Sequence, residues 1–137
     1  MTGKDQQVVV KNGVKILIIE DNCIISLALK NFFAVFGYEC IIANSIQRGN
    51  NLLHSSRFHV VIAECAGSTT ELLETLQLCS HEGIPVLLST QYAHLSTLRG
   101  KGVSLFLKPY NLLEMKNMLE IAVKNSPEKE YVLRAGM

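Results

Sequence analysis

The segment His59–Gly67, written HVVIAECAG, decides the fold because four apolar residues run directly into a carboxylate and then a glycine. An apolar run of this length is typical of a strand that is buried on both faces of a sheet. A charged group at the end of such a strand is costly to desolvate, so Glu64 is expected to face other polar groups. These groups are expected among the polar residues that end other apolar runs.

Predicted strands and helices alternate along the rest of the chain. Strands are predicted at Val14–Ile19, Tyr38–Ile42, Phe58–Ala63, Val86–Ser89 and Val103–Leu107. Five helices are predicted between and after these strands. The first is capped by Asp21 or Asn22 and ends at Gly37, and the second is capped by Ser45. The third and fourth span Thr70–Ser80 and Tyr92–Arg99, and the last is capped by Asn111. The first helix has apolar positions at Ile24, Ile25, Leu27, Ala28, Phe32, Val35 and Phe36.

The alternation predicts the fold class, because parallel strands need crossover helices that cover both faces of the sheet. The prediction is one α/β domain, doubly wound, with flavodoxin-like (βα)5 topology. Its sheet would have five parallel strands in the order 2-1-3-4-5. Residues 14–125 would form this domain, between tails at 1–13 and 126–137, although Val8–Val10 could add an edge strand.

Polar residues end four of the predicted strands. They are Glu20 and Asp21 after the first, Glu64 after the third, Ser89 and Thr90 after the fourth, and Lys108, before Pro109, after the fifth. The carboxyl ends of parallel strands share one edge, and open α/β sheets bind their ligands there. Glu64 is therefore expected to face two carboxylates, a hydroxyl and a lysine.

Length and composition argue against several classes of protein. The chain has 137 residues, 48% of them hydrophobic, which is enough for one buried core. A net charge of +1 gives no electrostatic signature of a nucleic-acid or anionic-membrane partner. The four cysteines show no zinc-site spacing and predict free thiols. With no apolar run of membrane-spanning length and no leader, a cytoplasmic protein is expected.

Four short segments resemble the receiver domain of two-component response regulators, the CheY-like family, over residues 14–125. In chain order they are ILIIEDN, VVIAE, PVLLST and LFLKP. The resemblance implies a signalling module rather than an enzyme. Such a module accepts a phosphoryl group from a phosphohistidine onto an aspartate. A divalent metal, a hydroxyl and a lysine surround the phosphoryl oxygens, because this reaction depends on positioning and charge neutralisation.

The resemblance also implies site roles. Glu20, Asp21, Glu64 and the backbone carbonyl of Ala66 would hold Mg²⁺. Thr90 would contact a phosphoryl oxygen, and Lys108 would pair with the phosphoacceptor. Thr90 and Leu105 stand at the switch positions, where family members commonly have a hydroxyl and an aromatic residue; Phe106 is the alternative if the strand shifts by one residue.

Glu64 is the chief departure from the family, which has an aspartate at this position. Glutamate carries its carboxylate on the order of 1.5 Å further out, and a misplacement of about 1 Å can slow a positioned reaction about a hundredfold. The longer acid also imitates the charge of an aspartyl phosphate in part. We therefore predict a pseudo-receiver with weak Mg²⁺ binding or none, which binds proteins without phosphorylation.

The predicted partners are a histidine kinase, a phosphotransfer protein or an output protein, with no nucleic acid and no membrane. A homodimer could form through the last two helices and strand five. The first alternative is a working phosphoacceptor. The second is a small-ligand binder on a flavodoxin-like scaffold, although EDNC stands where a glycine-rich phosphate loop would follow strand one.

The individual residues also have simpler interpretations. Glu20 and Asp21 could serve only the start of a helix, and Thr90 could be an ordinary strand-end hydroxyl. Lys108 could serve only to neutralise buried acids. Cys65 could be a redox-sensitive thiol, but a small apolar filler is favoured because the neighbouring acids would raise its pKa.

Overall fold

The computed structural model describes residues 13–64, 69–89, 103–106 and 111–124, with positions 64, 69, 89 and 103–106 described by backbone alone. The strands in this part of the chain are β1 (Lys15–Ile19), β2 (Glu39–Ala43), β3 (Val60–Glu64), β4 (Val86–Ser89) and β5 (Val103–Phe106). The helices are α1 (Cys23–Val35), α2 (Ile46–Ser55), α3 (Thr69–Glu82) and α4 (Leu112–Lys124).

The strands form one sheet in the order β2-β1-β3-β4-β5, and every neighbouring pair is parallel. The predicted α/β, flavodoxin-like parallel sheet is therefore confirmed. The predicted helix Tyr92–Arg99 and the possible edge strand Val8–Val10 lie outside the described residues, so the complete (βα)5 repeat stays a prediction. No helix among the described residues is both long enough and apolar enough to span a membrane.

Short polar side chains fix where the helices begin. Asn22 caps α1, with its Oδ1 accepting from the backbone N–H of Ile24 at 2.9 Å and of Ile25 at 3.1 Å. Ser45 caps α2, and Asn111 does the same for α4, as predicted. Gly37 follows the last turn of α1 with a φ of 90°, a left-handed conformation that favours glycine. Of the two predicted caps for α1, Asn22 is the one the structure shows.

The sheet separates two hydrophobic clusters. One lies under α1 and α4 and includes Ile16, Ile18, Val60, Ile62 and Leu87 from the strands. The other lies under α2 and α3 and includes Leu17, Ile19, Val61, Ala63 and Leu88. Successive strand residues alternate between them because side chains of a strand point to opposite faces. Both faces of the sheet are therefore apolar, as a doubly wound fold requires.

The inner face of α1 differs from its predicted apolar positions. Leu29 and Phe33, which were not among those positions, are buried at 2% and 0% exposure. Ile24 and Val35 were among them, yet they are 77% and 79% exposed. Apolar residues occur all round this helix, whereas the sheet covers only one side of it. Periodicity therefore does not determine which side is buried.

A close approach and a buried hydrogen bond fix the position of α2. A Cβ at Gly49 would lie only 2.5 Å from Cδ1 of Ile19, so the glycine lets α2 reach the end of β1. On the same helix, Oδ1 of Asn50 accepts a 2.6 Å hydrogen bond from Oγ1 of Thr75 in α3, and both residues are buried. The two helices on this face are therefore joined by a polar pair as well as by apolar packing.

Candidate functional site

The candidate site lies at the edge of the sheet where β1, β3, β4 and β5 end. Ile19 pairs with Ala63 across β1 and β3, so Glu20 and Glu64 are the next residues of adjacent strands. Glu64 pairs with Ser89 of β4, which pairs with Phe106 of β5. Because all these strands are parallel, the residues that follow them leave the sheet at the same edge. The backbone thus brings together the strand ends on which the predicted site depends.

Glu20 is a buried carboxylate, only 4% exposed. Its backbone N–H donates to the carbonyl of Ala43 at 3.0 Å, which extends the β1–β2 ladder by one residue. Its side-chain Oε2 accepts the backbone N–H of Asn22 at 3.1 Å. A buried acid requires such partners, since leaving it without hydrogen bonds would be costly. Glu20 is therefore held at the sheet edge.

Asp21 is exposed and lies between Glu20 and the cap of α1. Asn22 is the cap of this helix, since its side chain accepts from the backbone N–H groups of Ile24 and Ile25. Both acids lie beside the N-terminus of α1, where the positive end of the helix dipole favours nearby anions. The acid pair therefore has a favourable setting without being the helix cap.

Several predicted site residues lie outside what the structure describes. Ala66, Thr90 and Lys108 fall outside the described residues, as does Cys65. Glu64 and Leu105 lie in described strands, at positions given by backbone alone. The predicted roles of Glu64 as phosphoacceptor equivalent, of Ala66 as metal ligand, of Thr90 and Lys108 as phosphoryl contacts, and of Leu105 in the switch stay predictions.

The described part of the proposed Mg²⁺ site has suitable chemistry. Magnesium prefers oxygen ligands in near-octahedral geometry, and Glu20 and Asp21 offer carboxylates from consecutive residues. One oxygen of Glu20 already accepts the Asn22 N–H. Within the described part of the chain, no group of three or more His, Cys, Asp or Glu side chains could hold a metal ion. A metal at this edge would need ligands beyond Glu20 and Asp21.

Two polar contacts of the scaffold were not predicted from the sequence. The Asn50–Thr75 pair is one, and polar residues inside amphipathic helices give no signal that they are buried together. The other is at the opposite end of the sheet, where Nδ1 of half-buried His59 accepts the backbone N–H of Lys15 at 3.0 Å. This contact fastens the start of β3 to the start of β1.

The fold matches solved receiver structures. A CheY-like response regulator receiver domain from Methanospirillum hungatei is 20% identical with a TM-score of 0.73, covering 85% of this chain and 98% of that one. The response regulator TrrA from Thermotoga maritima, solved with Mg²⁺-BeF, is 21% identical with a TM-score of 0.69, covering 80% and 98%. The receiver domain of the hybrid histidine kinase CckA is 16% identical with a TM-score of 0.64, over the same shares.

Comparisons with protein-family models and with curated proteins give no match. The likeness to the solved structures therefore rests on three-dimensional shape at low identity. The chain has the fold of CheY-like response regulator receiver domains.

Proposed function

We propose that this chain is an atypical receiver module of two-component phosphorelay signalling, spanning residues 14–125, which binds a protein partner without being phosphorylated. The observation that carries the proposal is the glutamate at the end of β3, beside buried Glu20, in a chain with the receiver fold. In the family resemblance that position belongs to the aspartate that accepts the phosphoryl group. We propose that Glu64 occupies this site with a permanent negative charge.

The proposed module has the complete (βα)5 repeat. Neighbouring parallel strands need a crossover of a dozen or so residues, usually helical, because their connection must return to the other end of the sheet. β4 and β5 are such neighbours, and residues 90–102 connect them. This requirement supports the predicted helix Tyr92–Arg99.

The proposed site gives each residue a role. Glu64 pairs with Lys108, and Thr90 stays turned toward the site as it would toward a phosphoryl group. Glu20 and Asp21 retain weak affinity for Mg²⁺, since carboxylates suit this ion but the longer acid disturbs its geometry. The module then presents one state to a histidine kinase, a phosphotransfer protein or an output protein, and it acts by binding rather than by catalysis.

The second candidate is a working phosphoacceptor that takes a phosphoryl group from a kinase or phosphotransfer protein. The buried carboxylate of Glu20 supports this candidate. Burying a carboxylate is costly, and buried ionisable groups are concentrated at functional sites. The two candidates differ in whether the chain accepts a phosphoryl group, on Glu64 or elsewhere.

Intact-mass spectrometry separates them. The full chain is incubated with acetyl phosphate and Mg²⁺, and in parallel with beryllofluoride and Mg²⁺ under native conditions. The proposal expects no added mass in either sample, whereas a phosphoryl group that maps to Glu64 would establish the working phosphoacceptor. A receiver with an aspartate acceptor, treated alongside, shows that the reagents are active.

A further inference from the structure

Helix α1 is apolar on two opposite sides. Its inner side, with Leu29 and Phe33, packs on the sheet. Its outer side carries Ile24, 77% exposed, Leu27, 52% exposed, and Val35, 79% exposed. Lys30 is the single charged residue between Cys23 and Val35. A helix that is hydrophobic all round is normally buried, so the outer side has the composition of a contact surface.

The outer residues follow the spacing of a helix-pairing seam. Ile24, Ala28, Asn31 and Val35 are separated by four, three and four residues, and all four are exposed. This alternation is the heptad pattern by which two helices pack side by side. Ala28 has a small side chain, which lets the facing helix come close. The surface is therefore shaped for another helix.

We propose that this helix belongs to a second copy of the chain, so that two α1 helices pack against each other around a two-fold axis. An interface of this kind places the same patch on both sides and requires the patch to match itself. The seam carries no charge, so two copies do not repel each other. A partner recognised by its charge would find only Lys30 at the border. This inference goes beyond the proposed function and does not depend on Glu64.

Electrostatics favour an antiparallel pair. In a parallel pair the acids Glu20 and Asp21 of both copies would meet at the same end, next to both helix N-termini. In an antiparallel pair these acids are separated, and the helix dipoles oppose each other. In this register Ile24 meets Val35 of the partner subunit.

The dimer should be weak. The exposed residues of α1 are Cys23, Ile24, Leu27, Ala28, Lys30, Asn31, Ala34 and Val35. They are fewer than the roughly 20–30 residues that each side of a standard interface contributes. We therefore expect a dissociation constant on the order of 0.1 mM, typical of a transient contact.

Sedimentation of the full chain tests the proposal. Between about 10 µM and 1 mM the chain should pass from monomer to dimer. Ile24→Glu and Val35→Lys should each weaken the dimer at least about tenfold, because each subunit then places a charge in the apolar seam. Both changes suit the helix dipole, since they put an acid in the first turn and a base in the last. Loss of α1 would therefore not explain the result, and circular dichroism checks this.

An equimolar mixture of the two variants gives the sharper result. In an antiparallel pair the acid introduced at position 24 of one subunit would meet the base introduced at position 35 of the other. The mixture should therefore form a heterodimer more strongly than either variant forms a dimer alone. Leu73→Glu is the matched control, on α3 at the other face of the sheet and 41% exposed, and it should leave the dimer unchanged. A wild-type monomer at about 1 mM, a dimer insensitive to Ile24→Glu, or a mixture that stays monomeric would each overturn the proposal.

Discussion

Ile19 of β1 and Ala63 of β3 are register partners, and the residue that follows each of them is a glutamate. Glu20 is buried and accepts the N–H of Asn22, so one acid of the candidate site has a defined position. The second acid ends the neighbouring strand. Two carboxylates at adjacent strand ends repel each other unless a cation lies near them. Either a metal ion or a lysine can meet this need.

Magnesium binding distinguishes these two cations. If Lys108 pairs with Glu64, Mg²⁺ should bind in the millimolar range or not measurably, because the lysine already neutralises the acid. Titration followed by NMR amide shifts should show small changes at Glu20 and Asp21, and Glu20→Gln should abolish them. Micromolar affinity in calorimetry would contradict this prediction and would support an intact metal site.

Shortening the acid should recover reactivity. Glu64→Asp restores the side-chain length of the family's acceptor, and it should bring the reacting oxygen back by about 1.5 Å. We expect acetyl phosphate with Mg²⁺ to add a phosphoryl group to this variant, read by intact mass. Glu64→Gln is the control that should stay unmodified. If Glu64→Asp also stays unmodified, Glu64 is not the feature that blocks the reaction.

The two sides of α1 should differ sharply in their effect on stability. Phe33→Ala removes a fully buried ring and should lower the free energy of unfolding by about 3–5 kcal/mol. Val35→Ala, two residues later on the exposed side, should change it by less than about 0.5 kcal/mol. Urea unfolding at low protein concentration, where the chain is monomeric, measures both. Equal losses would show that the outer side is also covered within one chain.

The buried pair between α2 and α3 should be costly to break from one side. Thr75→Val removes the hydroxyl that donates to Oδ1 of Asn50, leaving a buried acceptor without that bond. The expected cost is about 1–3 kcal/mol. Adding Asn50→Leu should recover part of this loss, because replacing both partners removes the unmet polar group. A double variant that loses the sum of both single costs would rule out this coupling.

The three cysteines that the structure describes should react in a set order. Burial raises the pKa of the Cys40 thiol to about 11 and of the Cys79 thiol to about 12, so both remain protonated and shielded near neutral pH. Cys23 is exposed. Iodoacetamide at about pH 8 should therefore modify Cys23 first and spare Cys40 and Cys79 until the chain unfolds, as peptide mass mapping would show. Early modification of Cys79 would mean that α3 opens easily.

The same shifts predict how stability depends on alkaline pH. The unfolded thiols titrate near their ordinary value of 9.0, whereas the folded ones titrate near 11 and 12. Below pH 9 their contribution is fully present, and it is lost as pH rises toward the folded values, because the unfolded state releases its protons first. Urea unfolding at pH 8 and at pH 10 should show the decrease, and Cys79→Ser, which removes one titrating thiol, should make it smaller.

Helix caps could be predicted well from the sequence, whereas the buried side of a helix could not. Asn22, Ser45 and Asn111 could be predicted as caps because each polar side chain precedes a helical apolar pattern. Strand boundaries moved where buried residues such as Tyr38 and Phe58 precede β2 and β3, since burial outside a strand looks the same as burial within one. The inner side of α1 could not be predicted, because its apolar residues cover more than one face.

The candidate site was predictable to the same degree. Glu20 and Asp21 follow an apolar run directly, so parallel pairing alone puts them at the sheet edge. The pairing of Glu64 with Ser89 agrees with the expected strand alignment. The positions of Ala66, Thr90 and Lys108 depend on the segments that follow the strands, and sequence spacing does not determine the path of a loop.

The two apolar faces of the sheet have a consequence for sequence change. In a sheet with one solvent-exposed face, shifting a strand by one residue would expose its apolar side chains to water and destabilise the fold. Here Ile18 and Ile19 serve opposite clusters with nearly the same chemistry. A one-residue insertion in β1 would keep the strand apolar on both sides, so hydrophobicity alone would not oppose the slipped frame. The close contact between Ile19 and Gly49 opposes the shifted register, because it depends on which side chain of β1 faces position 49. The size of the residue at position 49 would therefore determine whether such an insertion is tolerated.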